Sequence, residues 1–362
     1  MLTILNTTTS GLGYLWYSLF LILGIFLLVK CADMFVGGAS SIAKKLKISS
    51  LVIGLTVVSF GTSAPELAVS LTSSIKGNTG IALGNVVGSN IMNLLVVLGL
   101  SSIISPIMIK KSICKREFPF LLASSLLLII FSIDNLFMGF TGIENLLSRG
   151  ESIIFLFGII AFCYISIVLA KKDAQQEVIE FSAHHEEEKE AEEEIEELPM
   201  WKTIIYLLLG LAGIIVGAEF VTTPATVIAT SLGVAANLDL ELVTNVVGLT
   251  VVAIGTSLPE LVTSLVAAKK GENEIAIGNV VGSNIFNILF ICGITGTITT
   301  LSMTADIITD MFIALGATAL VFAICRKGQI TRKNGALLLV VYLVYLTYIL
   351  LRLFYPSLII PF

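Results

Sequence analysis

The sequence predicts an all-α membrane protein of ten transmembrane helices, laid out as two inverted-topology repeats of five, and two observations carry that prediction. The first is composition: 56% of residues are hydrophobic and only 13% charged, with a mean hydropathy of +0.98. That is far more apolar than a water-facing surface allows. The second is an internal duplication: a polar, glycine-rich segment beginning at Gly54 returns at Gly248 inside an otherwise hydrophobic chain.

Uninterrupted apolar stretches long enough to span a bilayer as helices fall at 12–29, 51–74, 81–104, 118–133 and 153–170. Five more fall at 204–220, 243–268, 275–298, 307–324 and 335–351. Residues 31–50 and 221–242 are apolar enough for the first and sixth spans to continue as long tilted helices. No Lys or Arg precedes the first stretch and no small-residue cleavage pattern follows it, so it reads as a retained span. Cys31, Cys114, Cys163, Cys292 and Cys325 lack metal-type spacing and read as packing residues, without a disulfide framework or zinc site.

The chain therefore divides into a first half, residues 1–170, a linker, residues 171–200, and a second half, residues 201–362. Basic residues set the orientation. With the N-terminus outside, the inner loops hold Lys44, Lys45 and Lys47, then Lys110, Lys111, Lys115 and Arg116, then Lys171, Lys172, Lys189 and Lys202, then Lys269 and Lys270, then Arg326, Lys327, Arg332 and Lys333, with Lys30 near the inner end of the first span. Only Lys76, Arg149 and Arg352 fall outside, so the positive-inside rule places both termini extracellularly and the linker in the cytoplasm. The linker is dominated by glutamates, including Glu186–Glu188 and Glu192–Glu194, and contains His184 and His185. It reads as a solvated connector, with a weak cation sensor as the alternative. The net charge of −5 comes largely from this loop and points to no nucleic-acid partner.

The two repeats, residues 54–99 and 248–293, are identical at about three positions in five. Because each half holds an odd number of spans, the second half enters the membrane with the opposite polarity, which places a shared site near the bilayer midplane. Within the first repeat, Gly61-Thr62-Ser63-Ala64-Pro65-Glu66 puts a proline inside an apolar span. Pro65 has no N–H for the carbonyl of Gly61, and its ring crowds that carbonyl, so the helix must bend or break. Pro259 does the same to Gly255. A broken helix survives in lipid only where protein, a wet cavity or a bound cation satisfies the freed groups. The alternative is a kink stabilised by Thr and Ser hydroxyls alone.

Glu66 and Glu260 lie inside their spans with no Lys or Arg at matching depth, so the missing counter-charge is an exchangeable cation or a proton. In the following spans Asn85, Ser89 and Asn93 recur every four residues, as do Asn279, Ser283 and Asn287, which puts each trio on one helix face. Interhelical hydrogen bonding with close approach at Gly84-x-x-x-Gly88 and Gly278-x-x-x-Gly282 is the structural alternative for these stripes. Carboxylates, amides, hydroxyls and carbonyls are hard oxygen donors suited to Ca2+ and Na+. Asp33 and Glu219 lack such a polar entourage and read as structural residues at an interface or pathway. A hydrolase using Ser63 or Ser257 would need an embedded His or Lys as base, so no enzymatic role is expected.

GTSAPEL with GNVVGSNIMN, and GTSLPEL with GNVVGSNIFN, resemble the two alpha repeats of the sodium/calcium exchanger family, in the cation/calcium antiporter superfamily. The resemblance covers all ten spans. It implies a fold of five plus five helices, with spans two, three, seven and eight around the ions and spans one and six sliding across them to alternate access. It implies ligands Thr62, Ser63, Glu66, Ser89 and Asn93 from the first half, and Thr256, Ser257, Glu260, Ser283 and Asn287 from the second. The carbonyls of Ser59 and Ala253 match positions that the family uses for sodium. Some prokaryotic exchangers and the potassium-dependent branch carry an aspartate where Asn287 stands, and proton-coupled ones a glutamate at Gly88 and Gly282; the first departure argues against potassium dependence and the second against proton coupling. The expected partners are Ca2+ and Na+ as transported ions and the bilayer of the cell membrane, with no cofactor and a monomeric chain. The rival readings are a Ca2+/H+ or other cation antiporter on the same fold, and a cation channel.

Overall fold

The computed structural model describes residues 11–133, 145–184, 199–235 and 253–354. Seven of the described helices are long and apolar enough to cross a membrane, or eight if one bent pair counts as a single span. The first is α1, Gly11–Leu46. A bent pair follows, α2 (Ser50–Thr62) and α3 (Ala64–Ile75). Then come α4 (Thr79–Ile104), the shorter α5 (Phe118–Phe131) and α6 (Arg149–His184).

The second half opens with α7, Met200–Ala235. Its broken pair is α8 (Ala253–Thr256) and α9 (Leu258–Lys269). Then come α10 (Asn273–Ile298), α11 (Ala305–Cys325) and α12 (Arg332–Phe354). The expected span 243–268 is described only from Ala253, and the expected linker only through His184 and from Pro199; His185 and both glutamate runs lie outside the described residues.

The first and sixth spans do continue as single long helices. Each is 36 residues, about 54 Å at 1.5 Å per residue, so neither can stand upright in a hydrocarbon layer of about 30 Å. They lie against each other along their small residues: a Cβ on Gly217 would sit 3.0 Å from Leu28 N, and one on Gly210 would sit 2.7 Å from Phe35 N. Such backbone contact replaces the hydrophobic drive that lipid removes. Their outer faces carry large exposed apolar side chains, among them Trp16, Ile22, Phe26, Leu208 and Leu209.

α4 and α10 sit at the opposite extreme. In α10, 94% of the apolar stretch is buried, against 22% in α7, so α10 is a central helix and α7 a lipid-facing one. The core around α4 and α10 gathers Leu83, Val86 and Leu94 with Val280, Ile285 and Ile291, closed by Phe118, Phe155 and Ile308. Gly77 (φ 84°) and Gly271 (φ 78°), at matching places in the two repeats, take left-handed backbone that turns α3 into α4 and α9 into α10.

The all-helical expectation needs one amendment. Four two-residue strands pair crosswise between the halves: Ile107–Met108 (β1) with Gln329–Ile330 (β4), and Leu146–Leu147 (β2) with Leu301–Ser302 (β3). These chain segments lie at helix ends, where backbone groups have no intrahelical partner and find one in the opposite half.

Candidate functional site

The helix break falls where the proline position requires it. α2 and α3 meet at 44° around Ser63 (φ −81°, ψ 5°), and α8 and α9 meet around Ser257 (φ −89°, ψ 6°). Pro65 and Pro259 then sit in the first turn of the next helix, where a missing N–H costs nothing. That geometry puts Glu66 and Glu260 in the first turns of α3 and α9. Both glutamates are fully buried.

Each carboxylate is held by one serine from its own half and one from the other. Ser89 Oγ on α4 donates to Glu66 Oε1 at 3.4 Å, and Ser257 Oγ reaches the same oxygen at 3.4 Å. In mirror fashion Ser283 Oγ on α10 donates to Glu260 Oε1 at 3.4 Å and Ser63 Oγ at 3.2 Å. Ser257 Oγ and Ser89 Oγ lie 3.2 Å apart.

Asn85 and Asn279 brace the breaks. Asn85 Nδ2 donates to the Glu66 carbonyl (3.1 Å) and Ser70 Oγ (3.0 Å). Asn279 Nδ2 donates to the Glu260 carbonyl (3.2 Å) and Ser264 Oγ (2.9 Å). Their oxygens accept across the halves, from Thr256 Oγ1 at 3.4 Å and Thr62 Oγ1 at 3.0 Å. These two asparagines are thus occupied in interhelical bonding, which is the structural alternative weighed for them.

Two turns further along, Asn93 and Asn287 use their nitrogens and leave their oxygens. Among buried side-chain oxygens with no hydrogen-bond partner are Glu66 Oε2, Glu260 Oε2, Asn93 Oδ1 and Asn287 Oδ1. These are equivalent atoms, one of each kind from each half. Leaving four acceptors buried without donors is costly, a cost that a ligand bringing positive charge would recover. Among the described residues neither glutamate has a Lys or Arg partner: Lys110 pairs with Glu274, Lys270 with Asp33 and Arg352 with Asp310. No group of three or more His, Cys, Asp or Glu is placed to hold a metal among the described residues. Two carboxylates with neutral oxygen donors therefore make the only charge set in this network, one suited to hard cations.

Of the expected ligands, Thr62, Ser63, Ser89, Asn93, Ser257, Ser283, Asn287, Thr256 and both glutamates fall in these two facing networks. Ser59 is placed differently. Its hydroxyl lies 2.6 Å from the Gly54 carbonyl, 3.2 Å from that of Gly278 and 3.1 Å from that of Asn279. Its own carbonyl accepts from Ser63 N (3.0 Å) and Thr62 Oγ1 (3.4 Å). Ala253 begins α8. Asp33 and Glu219 stand apart from the network: Asp33 pairs with Lys270 at 2.8 Å, and Glu219 accepts from Thr223 Oγ1 at 2.6 Å.

Two features escaped the sequence reading. Asn90 and Asn284 cross-link α4 and α10, although they stand beside the serines of each stripe and could have been found as the first amide of each S-N-x-x-N. The helices also pass into π-helical turns at Gly54–Val58, Asn93–Val97 and Phe286–Ile291. Such turns concentrate at functional sites and have no composition signal.

Known proteins resemble this chain in sequence and in fold. A family model described as sodium/calcium exchanger protein matches residues 16–168 and 202–351. The putative antiporter CaxA of Alkalimonas amylolytica is 37% identical over 336 residues, covering 91% of this chain and 97% of that protein. The sodium/calcium exchanger MaX1 of Methanosarcina acetivorans is 35% identical, with coverage of 91% and 97%. A structure of the sodium-calcium exchanger NCX_Mj, soaked with Na+ and Ca2+, superposes with a TM-score of 0.74 at 29% identity, covering 92% of this chain and 98% of that one.

Proposed function

Because the chain belongs to the sodium/calcium exchanger family, we propose that it is a secondary active antiporter exchanging Na+ for Ca2+ across the cell membrane by alternating access. The observation that carries this reading is the pair of fully buried carboxylates, one from each half, each with one oxygen on serine hydroxyls and one without a donor. Two such charges need positive compensation in a low-dielectric interior. One Ca2+ or several Na+ ions supply it in exchange for each other, and only the neutralised site crosses the apolar barrier between the two faces.

In this reading the cation is held by Glu66 and Glu260 with Asn93 and Asn287, supported by Thr62, Ser63, Ser89, Thr256, Ser257 and Ser283. The carbonyls of Ser59 and Ala253 serve sodium. The ten spans are the seven long helices, the bent pair α2 and α3, the short α5, and the span ending in α9. The two halves have opposite polarity, both termini are extracellular, the acidic linker is cytoplasmic, and the chain works as a monomer. The reciprocal hydrogen bonds of equivalent residues in the two repeats support the pseudo-two-fold arrangement.

The test is sodium-driven uptake of radiolabelled Ca2+ into proteoliposomes. Uptake should require an opposing Na+ gradient and vanish in Glu66→Ala and in Glu260→Ala. Full exchange in either variant would overturn the assignment. A pH gradient that replaces the Na+ gradient would make the protein a Ca2+/H+ antiporter, and flux without any counter-ion would make it a channel.

A further inference from the structure

Asn90 and Asn284 are buried where α4 and α10 cross, and neither is among the ligands proposed above. Asn90 Nδ2 donates to the backbone carbonyl of Asn284 at 3.4 Å, and Asn284 Nδ2 donates to the backbone carbonyl of Asn90 at 3.1 Å. A carbonyl only accepts, so these two contacts fix which end of each amide is nitrogen. The Oδ1 atoms of Asn90 and Asn284 must then face the other way. There Asn287 Nδ2 donates to Asn90 Oδ1 at 3.0 Å, and Asn93 Nδ2 donates to Asn284 Oδ1 at 3.1 Å. The orientation passes on once more. With their nitrogens committed, Asn93 and Asn287 can present only oxygen on their remaining side, and those are the two amide oxygens without a partner.

We propose that Asn90 and Asn284 are positioning residues that set the polarity of the Asn93 and Asn287 amides, so that both turn oxygen rather than nitrogen toward the transported cation. This rests on the ion-site reading given above. An amide costs little to rotate by half a turn when nothing holds it, and a flipped Asn93 or Asn287 would offer N–H groups to a cation and repel it. The wiring is crossed: Asn90 acts on the opposite half's Asn287, and Asn284 on Asn93. A cation site assembled from two halves thereby becomes correct in both only when the halves are engaged.

The experiment uses the full chain in proteoliposomes and reads the half-saturating Ca2+ concentration and the maximal rate separately. Asn90→Ala and Asn284→Ala should each raise the half-saturating concentration about tenfold, the lower end of what losing an orienting partner costs a metal site, with maximal rate largely kept. The crossed wiring gives a second readout. Asn90→Ala should add little in an Asn287→Ala background and its full effect in an Asn93→Ala background. Asn90→Ser is read in the same way if the alanine protein does not fold. An unchanged half-saturating concentration, or equal effects in both backgrounds, would overturn the positioning role. Failure of the parent reading is distinct: wild-type protein would then carry no Na+-dependent Ca2+ flux, or Glu66→Ala would keep it.

Discussion

At the scale of single residues, the site is defined by what its polar atoms lack. Glu66 and Glu260 share the same depth of burial and the same pattern of one satisfied and one unsatisfied oxygen. A buried charge without a partner destabilises the fold that contains it. Glu260→Gln should therefore raise the thermal midpoint in buffer free of Ca2+ and Na+, by about 1 kcal/mol of stability, while abolishing the extra stabilisation that Ca2+ confers on the wild type. A thermal melt with and without Ca2+ checks both halves of that statement. Asn279→Ala should act oppositely, lowering the midpoint through a loss of about 2 kcal/mol of stability because it strips donors from the Glu260 carbonyl and Ser264. The glutamates were legible in the sequence because an acid in an apolar span is rare enough to demand a reason. The division of labour among the asparagines was not. Asn85, Asn90 and Asn93 are chemically alike, and only the facing helix decides which amide oxygen is left over.

At the scale of elements, proline and small residues shape what the glutamates can reach. The break before Pro65 was legible, since a proline's missing N–H is a local fact. The π-helical turns were not, because a ladder shifted by one residue depends on tertiary packing. α10 crosses α2 at backbone contact. A Cβ on Gly278 would sit 2.9 Å from the Leu51 carbonyl, and one on Gly282 would meet Ser59 Oγ and lie 2.7 Å from the Leu55 carbonyl. Gly282→Ala should thus push the helices apart and cost both stability and transport, with a loss of about 1–3 kcal/mol by thermal melt. A second tie was hidden from the sequence: Arg352 on α12 makes a forked pair with Asp310 on α11, at 3.0 and 3.2 Å. Reading it required knowing that the end of α12 comes back to the first turns of α11. Asp310→Ala takes the forked carboxylate from a largely buried guanidinium, leaving it the Asp306 carbonyl, and should lower stability by about 3 kcal/mol, with Arg352→Ala in the same chain restoring part of it.

At the scale of the whole molecule, neither half completes its own site. Ser63 reaches Glu260 and Ser257 reaches Glu66, while the strand pairs β1–β4 and β2–β3 join the halves at their periphery. The duplication made this partnership legible in advance, because two copies of one polar segment in an apolar chain have a reason to meet. The long α1 and α7 helices were legible as apolar runs, whereas their tight mutual packing follows from glycines whose contacts no linear pattern specifies. The proposed exchange requires that a mobile cation balance the two acids, one from each repeat. Equilibrium binding of radiolabelled Ca2+ to the purified full chain tests it most directly. One Ca2+ per chain, displaced by Na+ and lost in the Glu66→Gln, Glu260→Gln double variant, is the predicted result; Ca2+ bound undiminished by the double variant would contradict it.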